Sequence, residues 1–322
     1  MSWLITGGAG YIGSHVVRAF ARAGLSPVVI DDLSTGHASF VPGTVPFIEA
    51  DILDTNAVQQ ALREYSCDGV VHIAGFKYAG VSVTEPLHTY DQNVQATVSV
   101  LRAMHQEGVH RYVFSSSASV YGTPDVDLVT EGTALHPESP YGQTKLIGEW
   151  LNADMYAVDE LWQGVNLRYF NVVGSGDPTL WDSSPHNLFP MVFDRLLGGG
   201  IPQVNGNDYP TPDGTCVRDY VHVADIASGH VLAAQAMLAG RDLLPAYNLG
   251  SGGGTSVQEI MDAIREVTGI DFTPIQAPRR AGDPARIVAD GTAAQRDLGW
   301  TRQYDLQEMV RSAWESRQNA SA

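Results

Sequence analysis

The sequence contains little cysteine and little positive charge, and it lacks any long hydrophobic run. Its two cysteines, Cys67 and Cys216, have no metal-ligand spacing, which predicts a reducing compartment and no functional sulfur. No segment approaches the roughly 20 consecutive apolar residues that span a membrane. The chain also opens without a basic stretch followed by a long apolar run, because the first core strand is predicted to begin by Trp3. These absences predict a soluble, cytoplasmic protein.

Positive charge is scarce relative to negative charge. The 322 residues include 19 Lys and Arg against 36 Asp and Glu, and the formal net charge is -17. Phosphates would be repelled by the chain as a whole, which argues against nucleic acid or an anionic membrane as a partner. The 10 histidines, among them His72 and His222, have no ligand spacing, so we expect no bound metal.

Hydrophobic residues make up 44% of the chain, and in the first half they form short runs that alternate with helix-period segments. The runs predict buried strands at 3–6, 27–31, 45–50, 69–74, 111–116 and 164–170. Helices are predicted near 12–23, 55–65, 86–107 and 140–160. Such alternation is typical of βαβ units, and it predicts an α/β fold with a doubly wound parallel sheet of the Rossmann type.

The regular alternation ends near residue 170. Residues 174–186 and 205–216 are rich in Gly, Pro, Asp and Ser, which predicts long loops that shape a cleft. One more core strand at 246–251, a helix from Thr255 and a last helix from about 305 follow. We therefore predict a first domain over 1–170, to which 220–250 returns, and a smaller interleaved C-terminal α/β lobe over 171–322.

A glycine-rich turn, TGGAGYIGSH, follows the first strand and opens a helix. Gly7, Gly10 and Gly13 fit the pattern GxxGxxG, and Gly8 with the last two fits GxGxxG. Such a turn lets the backbone approach a pyrophosphate, which the helix N-terminus then binds through free N–H groups. Because a strand precedes it and a helix follows it, a dinucleotide site is favoured over a purely structural turn.

Asp31 ends the second strand at about the expected offset of 20 residues from the turn. A carboxylate there accepts hydrogen bonds from the adenosine ribose and repels a 2′-phosphate, and residues 32–36 contain no Lys or Arg to hold one. The predicted cofactor is therefore NAD and not NADP. Asp51 and Ile52, after the third strand, are candidates for the adenine contact, although Asp51 fits a solvated loop equally well.

The segment SPYGQTK, residues 139–145, places Tyr141 and Lys145 on one face of a predicted helix. Alone, the pair would be assigned to the core. Its position after the fifth strand, whose end SSSASVYG supplies hydroxyls to the same sheet edge, favours catalysis instead. A nearby ammonium and a positive nicotinamide would lower the pKa of the tyrosine, which makes it a general acid and base, with Ser117 sharing the proton of a substrate hydroxyl.

These motifs together resemble the extended short-chain dehydrogenase/reductases. Further segments resemble the UDP-glucose 4-epimerase family, in its order and over nearly the whole chain: AGFKYAGVSV, YDQNV, LRYFNVVG, PHNLFP, GNDYPTPDGTCVRDYVHVADIA, YNLGSG and APRRAGDPARIVAD. The stretches DGTCVRDYVHV and PRRAGDP are the most specific. The resemblance implies an isomerase that binds NAD in the first domain and a UDP-sugar in the second lobe.

By this resemblance Tyr141 would move the proton of the sugar C4 hydroxyl, Lys145 would bind the nicotinamide ribose, and Ser117 would bridge to O4. The cofactor positions would be Gly7, Gly10, Tyr11, Ile12, Gly13, Asp31, Asp51, Ile52, Ala74, Gly75, Lys77, Asn93, Ser115, Tyr141, Lys145 and Tyr169. The substrate positions would be Lys77, Ser117, Tyr141, Asn171, Asn187, Leu188, Arg218, Arg280 and Asp283. The arginines suit a diphosphate, although Arg218 could instead form an ion pair with Asp219 or another acid.

The resemblance leaves several alternatives open. Sugar dehydratases and decarboxylases share the fold, but dehydratases carry an acidic pair where this chain has Ala118 and Ser119. A non-catalytic NAD-binding regulator would typically lack the tyrosine or the lysine. Ile287 stands where the family sets sugar size, so UDP-galactose is expected, with UDP-N-acetylhexosamines and UDP-pentoses as alternatives. The helices near 86–107 and 143–160 would form a homodimer, or would simply pack on the sheet.

Overall fold

The computed structural model describes residues 1–279 and 284–321. Its strands are β1 Ser2–Thr6, β2 Ser26–Asp31, β3 Phe47–Glu49, β4 Cys67–His72, β5 Arg111–Ser117, β6 Gln163–Tyr169, β7 Asn171–Val173, β8 Gln203–Asn205, β9 Val217–Arg218, β10 Tyr220–His222, β11 Ala246–Leu249, β12 Thr255–Ser256, β13 Ile275–Ala277 and β14 Arg286–Ile287. Its α-helices are α1 Tyr11–Arg22, α2 Thr55–Glu64, α3 Ala79–Thr84, α4 Pro86–Tyr90, α5 Ala96–Glu107, α6 Pro140–Val158, α7 Leu188–Leu197, α8 Val223–Leu238, α9 Val257–Thr268, α10 Thr292–Leu298 and α11 Leu306–Ser321. None of the described helices is long and apolar enough to cross a membrane.

The central element is a seven-stranded sheet in the order β11-β6-β5-β4-β1-β2-β3, with all neighbours parallel. Successive side chains of a strand point to opposite faces. Trp3 and Ile5 therefore pack in the layer that contains α1 and α8, whereas Leu4 packs in the layer that contains α2 and α5. The doubly wound fold predicted from the sequence is confirmed. The strand order reverses at β1, because β2 and β3 lie on one side of it and β4, β5 and β6 on the other.

The C-terminal half adds small sheets around a separate core. Strand β10 pairs with β7, β9 lies between β12 and β14, and β13 pairs with β8. Their core is formed with α7, α9 and α11 and includes Phe193, Ile264 and Trp314. Strand β11 instead returns to the large sheet and pairs with β6.

Several predicted boundaries were wrong. The helix predicted near 86–107 is interrupted, because a π-helical turn over Asp91–Gln95 separates α4 from α5. The helix predicted from Thr255 begins at Val257, because Thr255 and Ser256 first pair with β9. Ser256 then caps α9 in a capping box with Glu259, which fixes the start of the helix. The strand predicted at 45–50 is limited to Phe47–Glu49.

Candidate active site

A cleft of about 530 Å³ opens beyond the carboxyl ends of β1, β5 and β6, where ligands of open α/β sheets bind. Ten residues predicted from the sequence line it: Tyr11, Ile12, Lys77, Ser117, Tyr141, Tyr169, Asn171, Asn187, Leu188 and Arg218. The cleft thus collects residues from the large sheet, the long loops and the second lobe. Arg280 and Asp283 lie outside the described residues.

The glycine-rich turn packs tightly at one side of this cleft. A Cβ atom at Gly13 would lie 2.0 Å from the carbonyl oxygen of Gly7, so helix α1 can approach the turn only with glycine there. Gly10 caps the helix in an extended conformation without a side-chain cap, and α1 begins at Tyr11. The first N–H groups of α1 are therefore directed at the space where a pyrophosphate would bind.

Asp31 lies at the end of β2 beside the turn. Its Oδ2 accepts a hydrogen bond from the N–H of Ala9 at 2.9 Å and its Oδ1 one from Leu33 at 2.9 Å. Burial raises the pKa of Asp31, and these two hydrogen bonds oppose the rise. The carboxylate is thus held in one orientation, with lone pairs left for ribose hydroxyls. An acceptor carboxylate at this place fits the adenosine ribose of NAD.

The adenine candidates behave differently from each other. The Asp51 carboxylate is exposed and accepts the N–H of Leu53 at 2.9 Å, whereas Ile52 is buried in the core against α2 and α5. Both stand just after β3, at the same sheet edge as Asp31.

The helix α6 begins at Pro140, and Ser139 caps it by accepting the N–H of Gly142 at 3.2 Å. This start places Tyr141 in the first turn and Lys145 one turn later. The Lys145 side chain is buried, and its Nζ donates to the carbonyl oxygen of Ser115 at 2.8 Å. The same Nζ lies 5.9 Å from the centre of the Tyr141 ring. The Ser117 hydroxyl lies beside the Tyr141 phenol, close enough to act on its pKa, and both side chains line the cleft. The three predicted catalytic residues therefore meet in one place.

Burial dominates the electrostatics of this group. It raises the pKa of Tyr141, and the neighbouring Ser117 hydroxyl opposes that rise. The lowering of this pKa by Lys145 together with the positive nicotinamide stays a prediction, because it requires the bound cofactor. Burial also lowers the pKa of Lys145 to about 8, so its ammonium form is retained at neutral pH with little margin.

Ser115 connects the catalytic lysine to two further side chains. While its carbonyl oxygen accepts from Lys145, its hydroxyl lies 3.3 Å from Nε2 of His230 and close enough to Tyr169 to act on the pKa of that phenol. His230 lies on α8, and its Nδ1 is 2.9 Å from the carbonyl oxygen of Ile226. Tyr169, predicted as a cofactor residue, is thus held at the end of β6, next to Tyr141.

The predicted substrate residues line the part of the cleft formed by the second lobe. Asn171 is exposed at the start of β7, and Leu188 opens α7. The guanidinium of Arg218 donates to the carbonyl oxygens of Val217 at 3.0 Å and Pro284 at 2.7 Å. An ion pair of Arg218 with Asp219 is not supported, since the Asp219 carboxylate accepts three backbone N–H groups, those of Ser251, Gly252 and Ala289. The alternative of an ion pair with another acid stays a prediction.

Residues 174–187, which we call the covering loop, contribute side chains that the sequence did not single out. Trp181 and Asp182 line the cleft. Asp182 accepts from Nδ2 of Asn187 at 2.6 Å and lies 3.9 Å from Nζ of Lys77, so it joins two predicted ligand residues. No motif spacing identifies these residues, because the loop has no periodic pattern.

The covering loop is attached to the dinucleotide side by long-range contacts. Tyr11 donates to the carbonyl oxygen of Gly174 at 2.6 Å, and the N–H of Gly176 donates to Nε2 of His15 at 2.9 Å. Arg18 pairs with Asp177 at 3.1 Å. The ring of Trp181 packs on His37 and Phe40. The loop therefore forms the outer wall of the cleft above α1.

Histidines and acids do not gather at a metal centre in the described part of the chain. No group of three or more His, Cys, Asp or Glu side chains there has a ligand arrangement. His72 is held between hydroxyls, with Thr6 at 2.8 Å and Thr97 at 3.1 Å, and Nε2 of His222 lies 3.1 Å from the hydroxyl of Ser312.

A parallel sheet with a glycine-rich turn, a ribose carboxylate and a Ser–Tyr–Lys group at one edge defines a dinucleotide-dependent enzyme. Residues 3–250 match the model of the NAD dependent epimerase/dehydratase family, and the chain belongs to that family.

Within the family the chain is similar over its whole length to UDP-glucose 4-epimerases. The Bacillus subtilis UDP-glucose 4-epimerase is 42% identical, over 98% of this chain and 96% of the relative. The Stenotrophomonas maltophila enzyme, solved with NAD and formylated UDP-arabinopyranose, is 40% identical with a TM-score of 0.95, over 100% of this chain and 99% of that one. The Brucella ovis enzyme, solved with NAD, is 41% identical with a TM-score of 0.93, over 97% of each chain.

Proposed function

We propose that this protein is an isomerase that interconverts UDP-galactose and UDP-glucose by NAD-dependent epimerisation at C4. The observation that carries the proposal is the meeting of Ser117, Tyr141 and Lys145 at the mouth of a dinucleotide-binding sheet. The similarity to UDP-glucose 4-epimerases over the full chain supports it.

In the proposed reaction Tyr141 removes the proton of the C4 hydroxyl as hydride leaves C4, and a 4-keto sugar results. Ser117 holds O4, and Lys145 holds the nicotinamide ribose. Bound NAD, held by the predicted cofactor residues, would supply the hydride acceptor and donor for C4 and a positive charge that favours the Tyr141 phenolate. The 4-keto sugar would turn over in the cleft, so that C4 presents its opposite face to the returning hydride. Tyr141 then gives the proton back, so that no net oxidation occurs.

The two regions divide the ligands between them. We propose that residues 1–170, with 220–250, bind NAD through the predicted cofactor residues, and that 171–322 bind the UDP-sugar. Arg218 faces the cleft and supplies a permanent positive charge near the diphosphate in a chain with net charge -17. Arg280 and Asp283 complete this proposal from the sequence alone.

We propose a hexose as the sugar, on the basis of the residue at position 287. Ile287 is buried and lines the cleft, where a larger side chain would narrow it and a smaller one would widen it. UDP-galactose is therefore the first candidate substrate, and a UDP-N-acetylhexosamine or a UDP-pentose is the alternative. Elimination chemistry is disfavoured because Ala118 and Ser119, which also line the cleft, offer no acid.

The experiment uses the purified protein. Its absorbance reports retained NAD, and NMR follows C4 inversion of UDP-galactose and UDP-N-acetylgalactosamine in separate reactions. We expect conversion of UDP-galactose. Conversion of only the N-acetylated sugar would move the assignment to the alternative, and conversion of neither with NAD retained would contradict an epimerase and favour a non-catalytic NAD-binding protein.

We also propose a cytoplasmic homodimer. Large apolar side chains are exposed on α4 and α6, including Leu87 at 78% and Trp150 at 58%. A face of this kind commonly lies at a protein interface. Light scattering of the wild-type protein and of a Trp150→Glu variant tests it, since a homodimer should weaken markedly in the variant, whereas a monomeric wild type would contradict the proposal. Both cysteines are buried, which suits a reducing compartment.

A further inference from the structure

Two hydroxyl groups hold the backbone of the residue that carries the catalytic phenol. The N–H of Tyr141 donates to Oγ of Ser82 at 3.1 Å, and the carbonyl oxygen of Tyr141 accepts from Oγ1 of Thr144 at 2.7 Å. Ser82 is fully buried on α3, and Thr144 is 2% exposed, immediately before Lys145. Both backbone polar groups of Tyr141, its N–H and its carbonyl oxygen, are therefore held by side-chain hydroxyls.

The hydroxyl of Thr144 has a second partner from a distant part of the chain. It accepts a hydrogen bond from Nδ2 of Asn93 at 2.8 Å. Asn93 lies in the π-helical turn between α4 and α5, and turns of this kind are frequent at functional sites. Because both groups are buried, loss of the hydroxyl would leave an unpaired amide N–H in the interior.

The remaining hydrogen bonds of Asn93 hold the segment that carries Lys77. Its Oδ1 accepts the N–H of Phe76 at 2.7 Å, and its Nδ2 also donates to the carbonyl oxygen of Phe76 at 3.0 Å. The approach is close, because a Cβ atom at Gly75 would lie 2.7 Å from Oδ1 of Asn93. One amide side chain thus joins the loop after β4 to the first turn of α6.

We propose that Thr144 is a positioning residue for the reaction. Together with Asn93 it couples the loop of Lys77 to the helical turn of Tyr141, so the groups that meet the cofactor and the group that moves the proton keep a fixed separation. A displacement of about 1 Å in a reacting group can slow catalysis strongly, because the reacting atoms must be closely aligned. This inference rests on the proposed function.

The test compares Thr144→Val with Thr144→Ser in the purified holoprotein. Valine keeps the shape of threonine and removes the hydroxyl, whereas serine keeps the hydroxyl and removes the methyl group. With UDP-galactose we expect Thr144→Val to lower kcat about tenfold, which corresponds to about 1.4 kcal/mol, and to change KM less than about twofold. We expect Thr144→Ser to stay within about twofold of wild type. Thermal unfolding and absorbance of retained NAD are recorded for each variant.

A double-mutant cycle tests the route of the effect. If Thr144 acts through Asn93, Thr144→Val lowers kcat no further in an Asn93→Ala background. Full additivity, a wild-type kcat in Thr144→Val, or an equal loss in Thr144→Ser would each overturn the proposal. If Thr144→Val does not fold, Thr144→Ala carries the same expectation. A wild-type protein that converts no UDP-sugar would overturn the proposed function and this inference together, whereas an active wild type matched by Thr144→Val overturns only the inference.

Discussion

The catalytic edge, formed by the end of β5 and the first two turns of α6, is built differently from the covering loop. At the catalytic edge Lys145 is buried, and the Tyr141 backbone is held on both sides by hydroxyls of buried residues. The covering loop is held by three polar contacts with α1, by polar contacts with α11 and by ring packing on the loop before β3, and much of it is exposed. Chemistry is thus placed where the side chains are buried, and the outer wall of the cleft is formed by a more exposed segment.

The largest expected effect comes from removing the phenol at the catalytic edge. We expect Tyr141→Phe to lower kcat with UDP-galactose by about a thousandfold, because a general acid and base contributes 10² to 10⁴-fold. Retained NAD and the unfolding temperature should stay close to wild type. Tyr90→Phe is the matched control, since its hydroxyl bonds only Gln143 among the described residues, and should keep most activity. A fully active Tyr141→Phe protein would rule out the mechanism and leave the fold untouched.

Acid should weaken both regions, because two buried neutral histidines lie beside each of them. His72 and His230 lie next to Lys145 and Ser115 of the catalytic edge. His15 and His222 lie next to Gly176 and Gly174 of the covering loop. Burial lowers the pKa of His72 to about 3 and of His15, His222 and His230 to about 4, from 6.5. The unfolded chain therefore binds protons first, so stability is complete above pH 6.5 and falls as the pH drops toward 4. Each histidine contributes about 3 kcal/mol over that window.

Urea unfolding between pH 7 and pH 4 measures this loss. His222→Gln should flatten the slope of stability against pH, and an unchanged slope would contradict the assignment. The covering loop should open before the catalytic edge, because a protonated His15 can no longer accept the N–H of Gly176. Hydrogen exchange of the Gly176 amide, compared with amides in α6, checks that order.

A smaller effect is expected at Asp182 in the covering loop. Asp182→Asn removes the charge that faces Lys77 and weakens the acceptor for Asn187. We expect KM for UDP-galactose to rise about fivefold with kcat nearly unchanged, because the pair is partly exposed and screened. Asp262→Asn on α9, which breaks an exposed pair with Arg265, is the control and should leave both constants unchanged. A loss in kcat alone would show that the covering loop takes part in the chemical step, and it would contradict the division of roles between the loop and the catalytic edge.

The smallest effect is expected at a surface pair remote from both regions. Arg63 on α2 pairs with Glu107 on α5 at 2.6 Å, and the Arg63 side chain is largely exposed. Arg63→Gln should change neither activity nor the unfolding temperature measurably, because exposed ion pairs are screened by water and salt. A clear loss of activity in this variant would show that the two regions are coupled to the outer helices.

Much of the catalytic edge was predictable because its signals are local. Tyr141 and Lys145 are separated by one helical turn, and Gly7, Gly10 and Gly13 follow a strand directly. The covering loop was predicted as a loop and no further, since Asp182 meets Lys77 across more than a hundred residues. The π-helical turn at Asp91–Gln95 was also missed, because its sequence keeps the period of an ordinary helix.

The sequence alone determined the main strands and helices of residues 1–170 in their order, the dinucleotide turn, the Asp31 carboxylate and the family of the chain. These follow from short-range spacing and from the period of buried residues. Only the tertiary structure decided the burial, the pKa shifts and the long-range hydrogen bonds of the side chains. Desolvation raises the pKa of Tyr141 among the protein residues. Ser82 holds the Tyr141 backbone directly and Asn93 holds it through Thr144, both from elements far away in the chain. Burial and long-range hydrogen bonds exist only after folding, so no local pattern contains them.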